Sequence, residues 1–278
     1  MKMNSMTTEH TINEKKESKK ISLCIGGGGA NGFSAVPIIN DILHKDVEIV
    51  AISGCSVGAI IGAYLAIFKE VDSLYHKCAN FSKIEWFKLV DMNLPTKHFI
   101  KGVKAKAFLY EIFKEITFEE LSTPLTIVAT NITTKQPVYF RSGKIIDAIM
   151  ASISIPAIFA PYKIGDEHYF DGMLSENVPI SALVEYNVPI VAIDFLYNST
   201  LNKEIPKTAM QSIIFSYAYL VTQRSREAKY NDSIFVFAPK KLGNFSMLEF
   251  YKAKKIYQLG VEELKRKEAE LEEWLRGI

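Results

Sequence analysis

Short β-branched runs alternate along this chain with stripes of apolar residues at helical spacing. The runs predict strands at 21–25, 49–52, 125–130, 138–140, near 168–170, 190–195 and 234–237. The stripes predict helices over 36–43, from 59 onward, about 105–114, 145–151, 208–230 and from 247 toward 278. Residues 71–120 look irregular apart from the helix near 105–114, and are rich in aromatics: Phe81, Trp86, Phe87, Phe99, Phe108 and Tyr110. Those aromatics suit either an acyl channel or ordinary core, and we read most of them as core. Strands alternating with helices predict an α/β fold with a mostly parallel sheet covered on both faces. No internal repeat is visible.

Two stretches depart from this pattern. Residues 1–20 are polar and charged, without an apolar core segment, and read as a disordered tail ahead of a folded unit at 21–278. From Ile49 to Phe68 there is no charge, and Gly54, Gly58 and Gly62 are spaced like a close-packing membrane helix. That run opens with strand formers and is broken by Ser53-Gly54-Cys55-Ser56, so a strand followed by a buried helix accounts for it better. The final segment carries Ile256, Leu264, Leu271, Trp274 and Leu275 among many lysines and glutamates. Such a pattern belongs to a docked helix rather than a membrane anchor.

Composition narrows the function classes. A net charge of +2 argues against nucleic acid as a partner, while allowing transient contact with an anionic membrane surface. The three cysteines, Cys24, Cys55 and Cys78, lack metal or redox spacing and fit a reducing, cytoplasmic setting.

The chemistry concentrates at two glycine-rich turns. Gly54-Cys55-Ser56-Val57-Gly58 lies between a predicted strand and a predicted helix, where an acyl-transfer nucleophile is held clear at the head of a sheet. Gly26-Gly27-Gly28-Gly29-Ala30-Asn31-Gly32 likewise follows a strand and opens a helix. Gly27, Gly29 and Gly32 satisfy a dinucleotide-binding spacing, but no acid ends the second strand to hold a ribose. Read instead as bare amides converging on one point, the loop makes an oxyanion hole beside Ser56. Ser56 also needs a base. The histidines are His10, His44, His76, His98 and His168, and none follows the last strands as a conventional triad requires. Asp171, at the end of a short strand and before Gly172, is the better candidate; the alternative is a simple Asp-Gly turn.

Taken in order, the glycine loop, Gly54–Gly58 and Asp171-Gly172 resemble the three motifs of the patatin-like phospholipase family. The segment 151–161, Ala129-Thr130-Asn131, Asn177-Val178-Pro179 and the stretch 232–238 extend the likeness over about 21–264. The resemblance implies a three-layer α/β/α sandwich and a lipid acyl hydrolase acting on phospholipid or lysophospholipid. It implies a Ser56–Asp171 dyad, with Gly27, Gly28 and Gly29 as the oxyanion loop and Ala30, Asn31, Gly32, Gly54, Gly58 and Gly172 supporting it. It implies no metal and no cofactor. Two positions depart from the family pattern: Asn31 stands where Arg or Lys is usual, and Met173 where Gly or Ala is usual. They are the support for a rival reading, a lipid-binding regulatory protein with weakened catalysis.

Overall fold

The computed structural model describes residues 18–89, 102–198, 205–227 and 230–278. Most of the tail read at 1–20, and Phe99 among the aromatics, fall outside the described residues.

The chain enters the sheet through β1 (Lys19–Ile25), so Lys19 and Lys20 belong to a strand rather than to the tail. A 3-10 turn (Gly29–Ser34) leads into α1 (Ala35–Leu43), β2 (Val47–Cys55) and α2 (Val57–Phe68). The uncharged run is therefore a strand and a helix meeting at Ser56. Next come α3 (Asp72–Ala79), α4 (Lys83–Leu89) and α5 (Val103–Phe113), where the sequence predicts only one helix. Then follow β3 (Leu125–Asn131), β4 (Pro137–Phe140), α6 (Ile145–Ser152), β5 (Tyr162–Ile164) and β6 (Glu167–Asp171). The rest comprises β7 (Ile190–Ile193), α7 (Ala209–Glu227), β8 (Ile234–Phe237) and α8 (Ala253–Gly277). The last helix starts later than the predicted 247, behind a 3-10 turn at Phe250–Lys252.

These eight strands form one sheet whose centre, β3-β2-β1-β7-β8, is parallel throughout. Along β1, the side chains of Ile21, Leu23 and Ile25 enter the main core, while Cys24 faces a second cluster with Leu183, Ile190 and Ala192. This is the two-residue alternation of a strand buried on both faces. The main core joins α1, α2, α5, α6 and α8 to one face of the sheet; the 3-10 helix Ser181–Tyr186 helps cover the other. The fold is a three-layer α/β/α sandwich. In α8, Ile256, Leu271 and Leu275 are buried against this core, and Lys19 donates to the Ile278 carbonyl at 2.8 Å, joining the first strand to the last helix.

One feature of the pairing sets up the site. On one edge, β3 pairs antiparallel with β4. On the other edge Leu125–Val128 pair with β2, Cys55 lying opposite Val128, and Ala129–Asn131 pair with antiparallel β6, Asp171 lying opposite Ala129. Strands β2 and β6 thus occupy one lane of the sheet and run toward each other. Ser56 and Asp171, far apart in sequence, end up on either side of their meeting point.

Candidate active site

Ser56 turns the chain from β2 into α2 with φ 54 and ψ −121, a sparsely populated conformation for a residue with a Cβ. The strain falls on the serine itself, since neither Gly54 nor Gly58 has a positive φ. Their lack of a side chain serves packing instead. A Cβ on Gly58 would lie 2.1 Å from the Ile25 carbonyl oxygen, and one on Gly54 would lie 2.4 Å from the Gly58 carbonyl oxygen. The elbow is pressed onto the end of β1, from which the glycine loop departs. The Ser56 N–H donates to Ser152 Oγ at 2.8 Å, and Ser152 Oγ donates in turn to the Val128 carbonyl at 2.6 Å. Helix α6 thereby fixes the elbow to β3.

Ser56 Oγ donates a 2.7 Å hydrogen bond to Asp171 Oδ2. The other carboxyl oxygen accepts from the Met173 N–H at 2.9 Å and faces the Cys55 thiol at 3.8 Å. The Asp171 backbone is held as well: its N–H donates to the Ser154 carbonyl, and its carbonyl accepts from the Thr130 hydroxyl. A Cβ on Gly172 would sit 2.4 Å from the Val128 carbonyl oxygen, so the turn after the acid lies flat on β3. Asp171 is 0% exposed and Ser56 3%. Burial strips water from the carboxylate and raises its pKa from 3.8 to about 7, against the opposing pull of the Met173 amide and the Ser56 hydroxyl. A carboxyl poised near neutrality and bonded to a hydroxyl can take up that hydroxyl's proton. Burial, and then the Asp171 charge, push the Cys55 thiol well up, so it remains a thiol and offers no rival nucleophile.

The glycine loop divides its amides. The Gly27 N–H donates to both Oδ1 and the backbone carbonyl of Asn177, at 3.1 Å each, which corrects its assignment as an oxyanion donor. Gly27 instead makes room, because a Cβ there would lie 2.5 Å from Met173 Cγ. Among the described residues the Gly28 and Gly29 amides have no partner. Gly29 has φ +56 and lines a cavity together with Ser56. The Ala30 amide donates to the Met247 carbonyl at 2.8 Å, and the Asn31 amide to the Gly28 carbonyl at 3.2 Å. Asn31 is buried, with an unpaired Oδ1, and Gly32 admits Val57, whose Cγ2 would lie 2.5 Å from a Cβ.

The cavity beside Ser56 has a volume of about 160 Å³ and nearly continuous apolar walls, among them Val57, Ile61, Leu74, Trp86, Phe108 and Phe159. Trp86 is buried in the main core and Phe108 packs against it, as read from the sequence, and both also line the chamber, each edge-on to Phe81. His168 is exposed on β6 and takes no part. Among the described residues no cluster of His, Cys, Asp and Glu could hold a metal ion. Sequence reasoning missed Ser152 and Asn177, the two side chains that fix the elbow and the loop. Both lie in segments that carried the family likeness, but a lone serine or asparagine announces no partner.

A family model described as patatin-like phospholipase matches residues 23–184, more than half of the chain. The chain belongs to the patatin-like phospholipase family. This patatin-like chain is 27% identical over 173 residues to an uncharacterized NTE family protein of Mycobacterium bovis, covering 62% of this chain and 48% of that one. It is 24% identical over 270 residues to Lysophospholipase NTE1 of Scheffersomyces stipitis, covering 88% of this chain and 18% of that protein. It therefore spans about half the length of the first relative and under a fifth of the second. Among solved structures, VipD from Legionella pneumophila aligns with a TM-score of 0.47 at 16% identity, over 90% of this chain and 67% of that one. Among the described residues no helix is long and apolar enough to cross a membrane.

Proposed function

We propose that this protein hydrolyses ester-linked acyl chains of phospholipids or lysophospholipids through a Ser56–Asp171 dyad. The observation that carries the reading is the buried 2.7 Å hydrogen bond from Ser56 Oγ to Asp171 Oδ2, opening on an apolar chamber. An acyl chain enters the chamber with its ester carbonyl at Ser56. Oγ attacks the carbonyl carbon as its proton passes to Asp171, and the Gly28 and Gly29 amides donate to the oxygen that becomes negative. The tetrahedral intermediate collapses, and the leaving glycerol oxygen takes the proton from Asp171. Water, deprotonated by Asp171, then attacks the acyl-serine, and Asp171 returns that proton to Ser56 Oγ as the C–Oγ bond breaks and the fatty acid leaves. No histidine is required, because the base bonds the nucleophile directly. The name of the yeast relative, a lysophospholipase, supports the same substrate class.

The two departures leave this scheme intact. Met173 serves Asp171 through its backbone amide, which any residue other than proline supplies. Asn31 removes a side-chain charge without removing a backbone donor. Fatty-acid release from phosphatidylcholine, lysophosphatidylcholine and p-nitrophenyl esters tests the proposal. Ser56→Ala and Asp171→Asn are each expected to lower turnover by about 1,000-fold or more. Wild-type turnover in either variant removes the dyad. A fluorophosphonate label that attaches to wild type but not to Ser56→Ala separates the hydrolase from a lipid-binding regulator.

A further inference from the structure

Helix α7 has two faces of different character. The inner stripe, Ile214, Tyr217 and Val221, packs with Cys55 and Met173, the neighbours of the two dyad residues. The helix is held there by Ser225, which donates to both Asp194 carboxyl oxygens just beyond β7. The outer face is unlike that of an ordinary solvated helix. Ile213 and Leu220 are 52% and 63% exposed, and Phe215 stacks on Tyr219 in the open, ring centroids 6.4 Å apart. Between these two apolar flanks lie exposed Ser212 and Ser216, and no charge occurs from Ala209 through Gln223. The charges gather at the ends, as Lys207 before the helix and Arg224 and Arg226 in its last turn, and no carboxylate occurs from Ile205 through Arg226.

We propose that the outer face of α7 is the surface by which the protein rests on an anionic lipid bilayer. Apolar flanks and aromatic rings enter the headgroup boundary, while the basic ends meet lipid phosphates. A bilayer fits better than a protein partner because basic residues, Lys207 before the helix and Arg224 and Arg226 in its last turn, bracket an uncharged apolar face, and Glu227, the final helical residue, is the one acid on α7. It also fits the position of the helix: the inner face of the same element packs on Cys55 and Met173 beside the dyad, so the outer face would hold the bilayer near Ser56. The inference rests on the lipid-hydrolase reading above for its choice of partner.

Vesicle flotation with the full chain tests it, using phosphatidylcholine alone and phosphatidylcholine with phosphatidylglycerol, alongside turnover of water-soluble p-nitrophenyl butyrate. Wild type and Ser56→Ala are expected to float equally with the anionic vesicles, and much less with the neutral ones. Ile213→Glu/Leu220→Glu should weaken partition at least tenfold while leaving butyrate turnover unchanged. Ser212→Glu/Ser216→Glu, which removes no packed atom, should do the same and guards against misfolding. Undiminished flotation in both pairs overturns the proposal. So does a wild-type dimer in solution that the substitutions dissociate, which would make a second copy the occupant. Flotation that depends on α7 in a protein with no esterase activity keeps the surface and discards the hydrolase reading alone.

Discussion

Asp171 links chemistry and stability with opposite signs. As the proposed base it must be ionised to act, so turnover of a soluble ester is expected to climb about tenfold per pH unit and level off near pH 7. A profile already flat from pH 5 contradicts that role. Stability runs the other way. The folded pKa stands above the unfolded value of 3.8, so between the two the native state binds more protons than the unfolded chain. The contribution is fully present below about pH 4 and is lost as pH rises through about 7, at most on the order of 4 kcal/mol. Asp171→Asn carries no charge to bury at any pH. It should therefore melt above wild type at pH 8.5, with the gap closing toward pH 5. Thermal unfolding at the two pH values measures this directly, and a gap that widens on acidification would refute the assigned cause.

At the scale of elements, the site depends on how closely β1, β2 and β6 approach one another, and glycines mark those approaches. Gly58→Ala puts a Cβ 2.1 Å from the Ile25 carbonyl and 2.6 Å from that of Gly26, and both neighbours are backbone. Neither can move without pulling β1 from β2, so the variant should lose several degrees of melting temperature and most of its esterase activity. Gly62, one turn later, meets side chains rather than backbone, the nearest being Ile52 Cγ2 at 3.0 Å. Gly62→Ala should stay within about 1 kcal/mol of wild type, as helix propensity offsets a small shift. Melting and turnover of the pair test the distinction, and equal damage from both would mean that the elbow is not where the strain lies. The same elements show what the sequence could tell. Strands β1, β2, β3 and β7 were legible as near-continuous apolar runs, which burial at the centre of the sheet demands, and edge strand β8 as the short apolar run Ile234–Phe237. Ser56 and Asp171 were legible because their turns carry glycines for a reason of packing. Helices α3 and α4 were not: Leu74 and Cys78 are all that α3 buries deeply, too few to display a period. The shared lane of β2 and β6 was invisible too, being a property of pairing rather than of any segment. So was the occupied Gly27 amide, which depends on Asn177, distant in sequence.

For the whole molecule, the proposed function ties substrate choice to a chamber walled in part by α3 and α4, the two helices that the sequence left unread. Its walls come from α2 (Val57, Ile61), α3 (Leu74, Cys78), α4 (Trp86) and α5 (Phe108, Leu109), and Met247 and Phe250 complete it from the segment before α8. Trp86 stacks on Phe250 with centroids 4.5 Å apart, so the wall is braced across elements remote in sequence. Acyl length should therefore be set by side-chain volume on α3 to α5, while the chemistry at Ser56 is set by β2 and β6. Leu74→Trp tests that separation, since it extends a wall residue into the space without touching the dyad, the elbow or the glycine loop. If the acyl chain occupies this chamber, kcat/KM for a p-nitrophenyl ester of sixteen carbons should fall about tenfold or more relative to one of four carbons. The short ester should keep near-wild-type turnover, because a short chain leaves the new ring room. Should the ratio between long and short esters stay constant in a variant that melts normally, the chain runs elsewhere and the chamber is packing space alone. Trp86→Ala makes the converse test by enlarging the chamber, at a cost of about 3–5 kcal/mol in lost aromatic packing. Its smaller usable temperature range makes Leu74→Trp the cleaner measurement.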